Sequence, residues 1–160
     1  MTEHDVPEVS VHAAAAPEAV FPYFTDPARY VEWMGSQAVL EPVPGGVYRV
    51  GMNDGFAAAG SFLEVEPPGR VVFTWGWADA EAAEHVLHER SDPGGGILRA
   101  GSTRVVVTFE AEDGGTRVTL RHHDLPTDEL RDAHRVAWQT YLPRLPVRVA
   151  GGDPGPDPHA

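Results

Sequence analysis

The fold of this chain is decided by Val71-Val72-Phe73-Thr74-Trp75-Gly76-Trp77, a stretch with the two-residue period of a β-strand. At that period Val71, Phe73, Trp75 and Trp77 share one face, and the smaller side chains share the other. Two indole rings on one short strand need a deep apolar space, and each buried indole N–H needs a polar partner. The stretch therefore predicts a strand that borders either a thick core or the wall of a cavity.

The same strand-like alternation recurs along the chain, interrupted by turn residues such as Pro44-Gly45-Gly46 and Asp113-Gly114-Gly115. Short connections of this kind join neighbouring strands as hairpins, which predicts one continuous antiparallel sheet. One connection, residues 78–102, is much longer, and we expect it either to be a mobile flap over a cavity mouth or to have no role. The predicted strands cover residues 9–13, 37–41, 46–52, 57–66, 70–77, 104–112 and 116–123.

Helical patterns lie on both sides of this strand-rich region. Pro17 opens a first short helix, and a second short helix is predicted over residues 28–33. A longer helix with a broad apolar stripe begins after Thr127, a suitable N-cap, and Pro143 predicts its end near Leu142. These patterns predict an α+β fold in which a curved antiparallel sheet of six to seven strands wraps around a long C-terminal helix, with two short helices after strand 1.

Composition limits the classes of protein that fit. The chain has 160 residues, 42% of them hydrophobic, which suits one domain, placed at residues 8–149 between flexible tails at 1–7 and 150–160. A net charge of −12 argues against nucleic acid and membrane surfaces as partners. Cysteine is absent, which excludes disulfides. With no signal-peptide pattern and no apolar run long enough to span a bilayer, we expect a cytoplasmic protein, either a monomer or a homodimer.

Several motifs together resemble one known group of proteins. They include Thr25-Asp26-Pro27 with Trp33, Gly45-Gly46-Val47-Tyr48-Arg49, Leu63-Glu64-Val65-Glu66-Pro67-Pro68, Gly115-Thr116-Arg117-Val118-Thr119-Leu120 and His134…Trp138…Tyr141-Leu142. These motifs are similar to those of the SRPBCC superfamily of helix-grip (START/Bet v 1-like) proteins, and within it to the branch named after the activator of heat-shock-protein-90 ATPase. The resemblance covers residues 8–146 and implies that space often remains between the sheet and the terminal helix. In the wider superfamily it implies binding of lipids, polyketides or hormones, and cyclase or aromatase activity in some members, so fold alone does not choose a function.

The residues expected to face that space are mainly aromatic. The alternative is that they pack as a solid core; a drug-sized cavity would measure roughly 300–1,000 Å³. The excess of rings and the scarcity of polar groups favour an aromatic or polycyclic ligand over a sugar or a nucleotide. The candidate cavity residues are Trp33, Tyr48, Phe73, Trp75, Trp77, Val107, His122, His134, Trp138 and Tyr141.

Two of these residues, His122 and His134, are also the candidates for catalysis. Strand parity points His122 inward and His123 to solvent, and His134 lies on the apolar stripe of the terminal helix. In an apolar cavity the inward pair would orient a polar ligand group or act as general acid and base near neutral pH. The alternative is two core histidines satisfied by hydrogen bonds. No cofactor is expected, and no metal, because His85 and His88 lack a third ligand at standard spacing.

Three hypotheses on function follow from these patterns. The leading one is binding of a hydrophobic small molecule in a cavity between the sheet and the C-terminal helix. The second is an enzyme resembling polyketide cyclases or aromatases, in which a cavity histidine moves protons. The third is a chaperone-partner module of the Hsp90-ATPase-activator type, which would need an exposed apolar or charged patch that the sequence does not display.

Overall fold

The computed structural model of the chain describes residues 6–52, 56–79, 98–156 and 158. Those residues form strands β1 (Glu8–Ala13), β2 (Gln37–Leu40), β3 (Val47–Gly51), β4 (Phe56–Glu66), β5 (Arg70–Trp75), β6 (Trp77–Asp79), β7 (Thr103–Glu112) and β8 (Gly115–His123). Their helices are α1 (Pro17–Val20), α2 (Pro27–Tyr30), α3 (Asp128–Tyr141) and α4 (Arg144–Val149), with a 3₁₀ turn over Phe21–Phe24.

The strands form one antiparallel sheet in the order β1-β8-β7-β5-β4-β3-β2. β6 lies off this order and pairs with the first part of β4, whereas β5 pairs with the last part of β4. The predicted α+β fold, with its hairpin-linked sheet, short helices after β1 and terminal helix, is confirmed. Seven strands lie on the main path, at the upper end of the expected number, and β6 is an eighth.

The strand predicted over residues 70–77 is divided at Gly76. A Cβ atom at Gly76 would lie 1.7 Å from the carbonyl oxygen of Arg99, so the returning chain passes too close for any other residue. After this break Trp77 pairs with Ala58 on β4. Trp75 and Trp77 nevertheless stay on one side of the sheet, since both are buried and their ring centroids lie 5.3 Å apart.

The terminal helix α3 follows the local rules that predicted it. The side-chain oxygen of Thr127 accepts a hydrogen bond from the N–H of Leu130 at 3.1 Å, which caps the amino end of the helix. The helix ends at Tyr141, one residue before the predicted end, and α4 begins just after Pro143. Its buried face carries Leu130, His134, Trp138 and Tyr141, so the apolar stripe read from the sequence is the face that meets the sheet.

The segment after α4 is held by one arginine. The Arg144 guanidinium donates to the carbonyl oxygens of Pro154, Gly155 and Pro156 at 3.3, 2.9 and 3.1 Å. Its Nε also donates to the carbonyl oxygen of Trp33 at 2.9 Å. The five N–H donors of a guanidinium let one side chain satisfy several carbonyl groups at once. The flexible tail placed at residues 150–160 stays a prediction.

Candidate functional site

A pocket of about 580 Å³ lies beside α3, between the helix and the sheet. Its floor, the buried part of the lining, consists of rings and thioethers contributed by Met34, Met52, Trp75, Trp77, His134, Trp138 and Tyr141. Its rim, the part that reaches solvent, contains Asp132, Val136, Thr140 and Pro158. The pocket is therefore a cleft with an aromatic floor and one side open to water.

The pocket lies where α3 leaves part of the sheet uncovered. α3 contacts β1, which forms one edge of the sheet. Two floor residues come from near the opposite edge, because Met34 precedes β2 and Met52 follows β3. On the helix side Ala133 and Ala137 line the pocket, and their single methyl groups are too small to fill it. Space remains for this reason between the helix and the β2–β3 half of the sheet.

Half of the predicted cavity residues line this pocket. They are Trp75, Trp77, His134, Trp138 and Tyr141. The other five, Trp33, Tyr48, Phe73, Val107 and His122, are buried in the core and do not line it. The sequence left open whether these ten residues form a cavity wall or a solid core. In the structure, one half of the set lines a pocket and the other half packs as core.

The solid part of the cluster is centred on Tyr48. Its ring stacks on Phe73 with centroids 4.1 Å apart, and its hydroxyl hydrogen-bonds to that of Tyr30 at 2.5 Å. Burial raises the pKa of both tyrosines, so both hydroxyls remain neutral. Tyr30 also stacks on Trp33. The short helical segments after β1 thus fill the space that the sequence had assigned to ligand at this end of the sheet.

His122 is fully hydrogen-bonded inside the protein. The indole N–H of Trp138 donates to its Nδ1 at 3.1 Å, so Nδ1 carries no proton and Nε2–H donates to the hydroxyl of Thr103 at 2.9 Å. The Thr103 hydroxyl in turn donates to the carbonyl oxygen of Trp75 at 2.7 Å. Burial, with further contributions from His134 and His123, lowers the pKa of His122 well below its usual value. The ring is thus a neutral link between β8, β7 and α3.

His134 forms a second link of the same kind. Its Nδ1 donates to the carbonyl oxygen of Leu130 at 2.8 Å, one turn earlier in α3. Its Nε2 accepts a hydrogen bond from the indole N–H of Trp77 at 3.1 Å. Since both ring nitrogens are engaged, His134 lines the pocket without offering a free acceptor or donor atom to a ligand in this arrangement. The geometry of both histidines is that of satisfied core residues.

Sequence reasoning missed the parts of the lining that come from loops and from the outer side of α3. Met34 and Met52 lie in connections, where no periodic pattern indicates which way a side chain points. Val136 did leave a signal in the sequence, because it is an apolar residue off the predicted stripe. In the structure it is 60% exposed, and it marks the side on which the helix has no partner among the described residues.

Charge is sparse at this site. Asp132 is the one acidic residue among the described lining residues, and its carboxylate accepts a hydrogen bond from Arg135 at 2.7 Å. Within the ranges that the structure describes, no group of three or more His, Asp or Glu side chains is placed to hold a metal ion. His85, His88 and most of the long connection at 78–102 lie outside the described residues. No helix in the described part of the chain has the length and apolar character needed to cross a bilayer.

These features define a class of protein, namely an α+β helix-grip domain with a ligand-sized pocket between its sheet and its terminal helix. The chain belongs to the family of activator of Hsp90 ATPase homolog 1-like proteins, whose sequence profile matches residues 14–150. The resemblance to this branch of the SRPBCC superfamily is thereby confirmed.

Solved structures of other proteins share the fold. An AHSA1-like protein from Rhizobium etli is 37% identical, with a TM-score of 0.66 over 97% of this chain and 88% of that one. DynU16, from the dynemicin biosynthetic locus, is 22% identical with a TM-score of 0.70 over 94% of this chain, which spans only 49% of DynU16. The Aha1 dimer from Colwellia psychrerythraea is 15% identical, with a TM-score of 0.67 over 90% of this chain and 95% of that one. At the two lower identities the likeness shows the fold alone. No curated protein sequence matches the chain significantly.

Proposed function

We propose that this protein binds an apolar small molecule, aromatic or polycyclic in shape, in the pocket between α3 and the sheet. The observation that carries the proposal is the pocket itself. Its volume of about 580 Å³ lies within the roughly 300–1,000 Å³ of sites for drug-sized ligands, and rings and thioethers form its floor. A flat ring system stacked against Trp75 or Trp138 would bury most of its surface there.

The sparse charge of the lining supports an uncharged ligand. No lysine or arginine is among the described lining residues, so a phosphate or carboxylate would enter without a counter-charge. The rim hydroxyl of Thr140 donates to the carbonyl oxygen of Val136 at 2.8 Å, so its proton is already used and only its oxygen is left, as an acceptor. Sugars and nucleotides need many more free donors and acceptors than these residues supply.

The histidine contacts favour binding over proton transfer. A general acid or base must come within hydrogen-bond distance of the reacting group. The ring nitrogens of His122 and His134 are instead occupied by Trp138, Thr103, Trp77 and the helix backbone. The cyclase-like and chaperone-partner hypotheses remain predictions from family resemblance, and neither is favoured by a particular contact in the described residues.

Filling the pocket from the helix side tests the proposal. Wild-type protein is titrated with a panel of aromatic and polycyclic compounds, read by tryptophan fluorescence and by calorimetry. Because Ala137 lines the pocket, Ala137→Phe should weaken any binding by about tenfold or more. Gln139→Phe adds the same ring to an exposed position of the same helix outside the lining and should leave affinity unchanged.

Two results would count against the proposal. The first is that no member of a chemically broad panel binds the wild-type protein. The second is that Ala137→Phe and Gln139→Phe change affinity equally, since binding would then take place elsewhere on the protein. DynU16 belongs to a biosynthetic locus, so intermediates of natural-product biosynthesis should be included in the panel.

A further inference from the structure

Trp75 differs from the other three tryptophans in how its indole N–H is used. The N–H of Trp33 donates to the carbonyl oxygen of Tyr23 at 3.0 Å, and those of Trp77 and Trp138 donate to histidine nitrogens at 3.1 Å each. The indole N–H of Trp75 has no hydrogen-bond partner among the described residues, although only 2% of the side chain is exposed. Buried donors are almost always paired, so a single exception in an otherwise satisfied set needs an explanation.

Other aromatic rings lie close to Trp75. Trp77 lies edge-on at 5.3 Å between centroids, Trp138 is tilted at 5.0 Å and His122 lies edge-on at 5.7 Å. An N–H pointing at a ring face forms only a weak hydrogen bond, and both nitrogens of His122 already have partners. The protein thus leaves one donor unsatisfied in a residue that forms part of the pocket floor.

We propose that the indole N–H of Trp75 is the hydrogen-bond donor of the ligand site, and that the ligand is an uncharged polycyclic aromatic molecule carrying a carbonyl-type oxygen. The inference rests on the proposed function, because it assumes that the pocket holds a ligand. An indole N–H donates and does not accept, so the matching ligand group is an acceptor. The acceptor is neutral, because no cation among the described lining residues would stabilise an anion.

The acceptor has a physical route to this donor. In the structure the indole nitrogen is shielded from water, so a ligand atom reaches it only after a neighbouring side chain moves. Met34 and Met52 share the pocket floor, and their unbranched side chains change rotamer more easily than rings do. A carbonyl oxygen entering beside Trp75 would then accept a hydrogen bond from the indole N–H.

The test uses fluorenone and fluorene as probes, two flat tricyclic compounds that differ by one carbonyl oxygen. Their affinities are measured by calorimetry for wild type and for Trp75→Phe, which keeps an aromatic ring and removes the N–H. Fluorenone should lose about 2- to 10-fold more affinity than fluorene on this substitution. Comparing the two probes in both proteins cancels their difference in hydrophobicity. Trp33→Phe removes an N–H outside the pocket and should change neither affinity.

A second measurement needs no substitution. In the ¹⁵N-labelled wild-type protein, with indole resonances assigned by triple-resonance methods, fluorenone should move the Trp75 indole proton downfield, and fluorene should not. Two results would overturn the role of the Trp75 N–H as the donor to the ligand. Either both probes bind and this proton responds equally to both, or Trp75→Phe weakens the binding of both probes equally. The proposal that the pocket binds a ligand would survive either result. If neither probe binds wild type and no compound of the wider panel does, the proposed function falls and this inference falls with it.

Discussion

The neutral, buried state of His122 predicts how the stability of the protein depends on pH. The side chain is 1% exposed and its pKa lies well below its usual value. In the unfolded chain the same ring takes up a proton with a pKa of about 6.5. Below that pH the unfolded state therefore binds more protons than the folded state does, so the free energy of unfolding falls as the pH falls.

The size of the effect follows from the difference in bound protons. One histidine that stays neutral when folded changes the free energy of unfolding by at most about 1.4 kcal/mol per pH unit below pH 6.5. Between pH 7 and pH 5 the loss approaches about 2 kcal/mol, and above pH 7 the His122 contribution is flat. Urea unfolding followed by tryptophan fluorescence and circular dichroism at half-unit intervals from pH 5 to pH 8 measures it.

His122→Gln isolates this residue, since an amide can replace part of the hydrogen bonding and does not titrate. It should be less stable than wild type at pH 7 and show a markedly smaller slope between pH 5 and pH 6.5. His123→Gln is the matched control, because His123 is a neighbour on β8 whose side chain is only half-buried; it should keep most of the slope. If wild type shows no fall in stability over this range, or if His122→Gln keeps the full wild-type slope, the assignment of a neutral His122 is refuted.

Three further substitutions test the packing around the pocket. Trp138→Phe removes the donor to Nδ1 of His122 and should lower the free energy of unfolding by about 1–3 kcal/mol beyond the loss of ring volume, measured by urea unfolding. Gly76→Ala should be severely destabilising in thermal unfolding because its Cβ would overlap a backbone carbonyl, whereas Gly69→Ala, with nothing within 4 Å of its Cβ, should be nearly neutral. Arg144→Ala should raise the hydrogen-exchange rate of the Gly155 amide, whose N–H donates to the Asp153 side chain, while leaving the sheet protected, because the hydrogen bonds from the guanidinium to this segment are lost.

Local sequence patterns were sufficient for most of the fold. Turn residues located the hairpins, and the cap at Thr127 and the proline at position 143 located the ends of α3 to within one residue. Alternation also pointed His122 inward and His123 to solvent, and in the structure His122 is buried and His123 is half-buried. These features depend on neighbours along the chain, so period, turn chemistry and capping predict them without knowledge of tertiary contacts.

Those patterns did not predict which aromatic residues belong to the packed core and which form the pocket floor. Tyr48 and Trp75 have the same inward parity, yet Tyr48 is covered by Tyr30 from α2 and Trp75 lines an opening. Whether such a ring is packed in the core or lines the pocket depends on which segment, distant in sequence, packs over it. The split at Gly76 has the same origin, because it depends on where Arg99 returns to the sheet. Such contacts join residues far apart in sequence and leave no periodic signal.

The indole–histidine hydrogen bonds and the pocket have one cause, because in both cases a helix packs over a row of large rings. Trp75 and Trp77 prevent α3 from lying close against the sheet, and the helix is instead joined to it through Trp138–His122 and Trp77–His134. These hydrogen bonds fix the height of the helix, since each requires the indole and the imidazole to meet at 3.1 Å. Ala133 and Ala137 of α3 line the space that remains, together with Met34 and Met52. Under the proposed function, these histidines hold the site open, and the indole N–H of Trp75, which has no partner among the described residues, is a buried donor that a ligand would meet there.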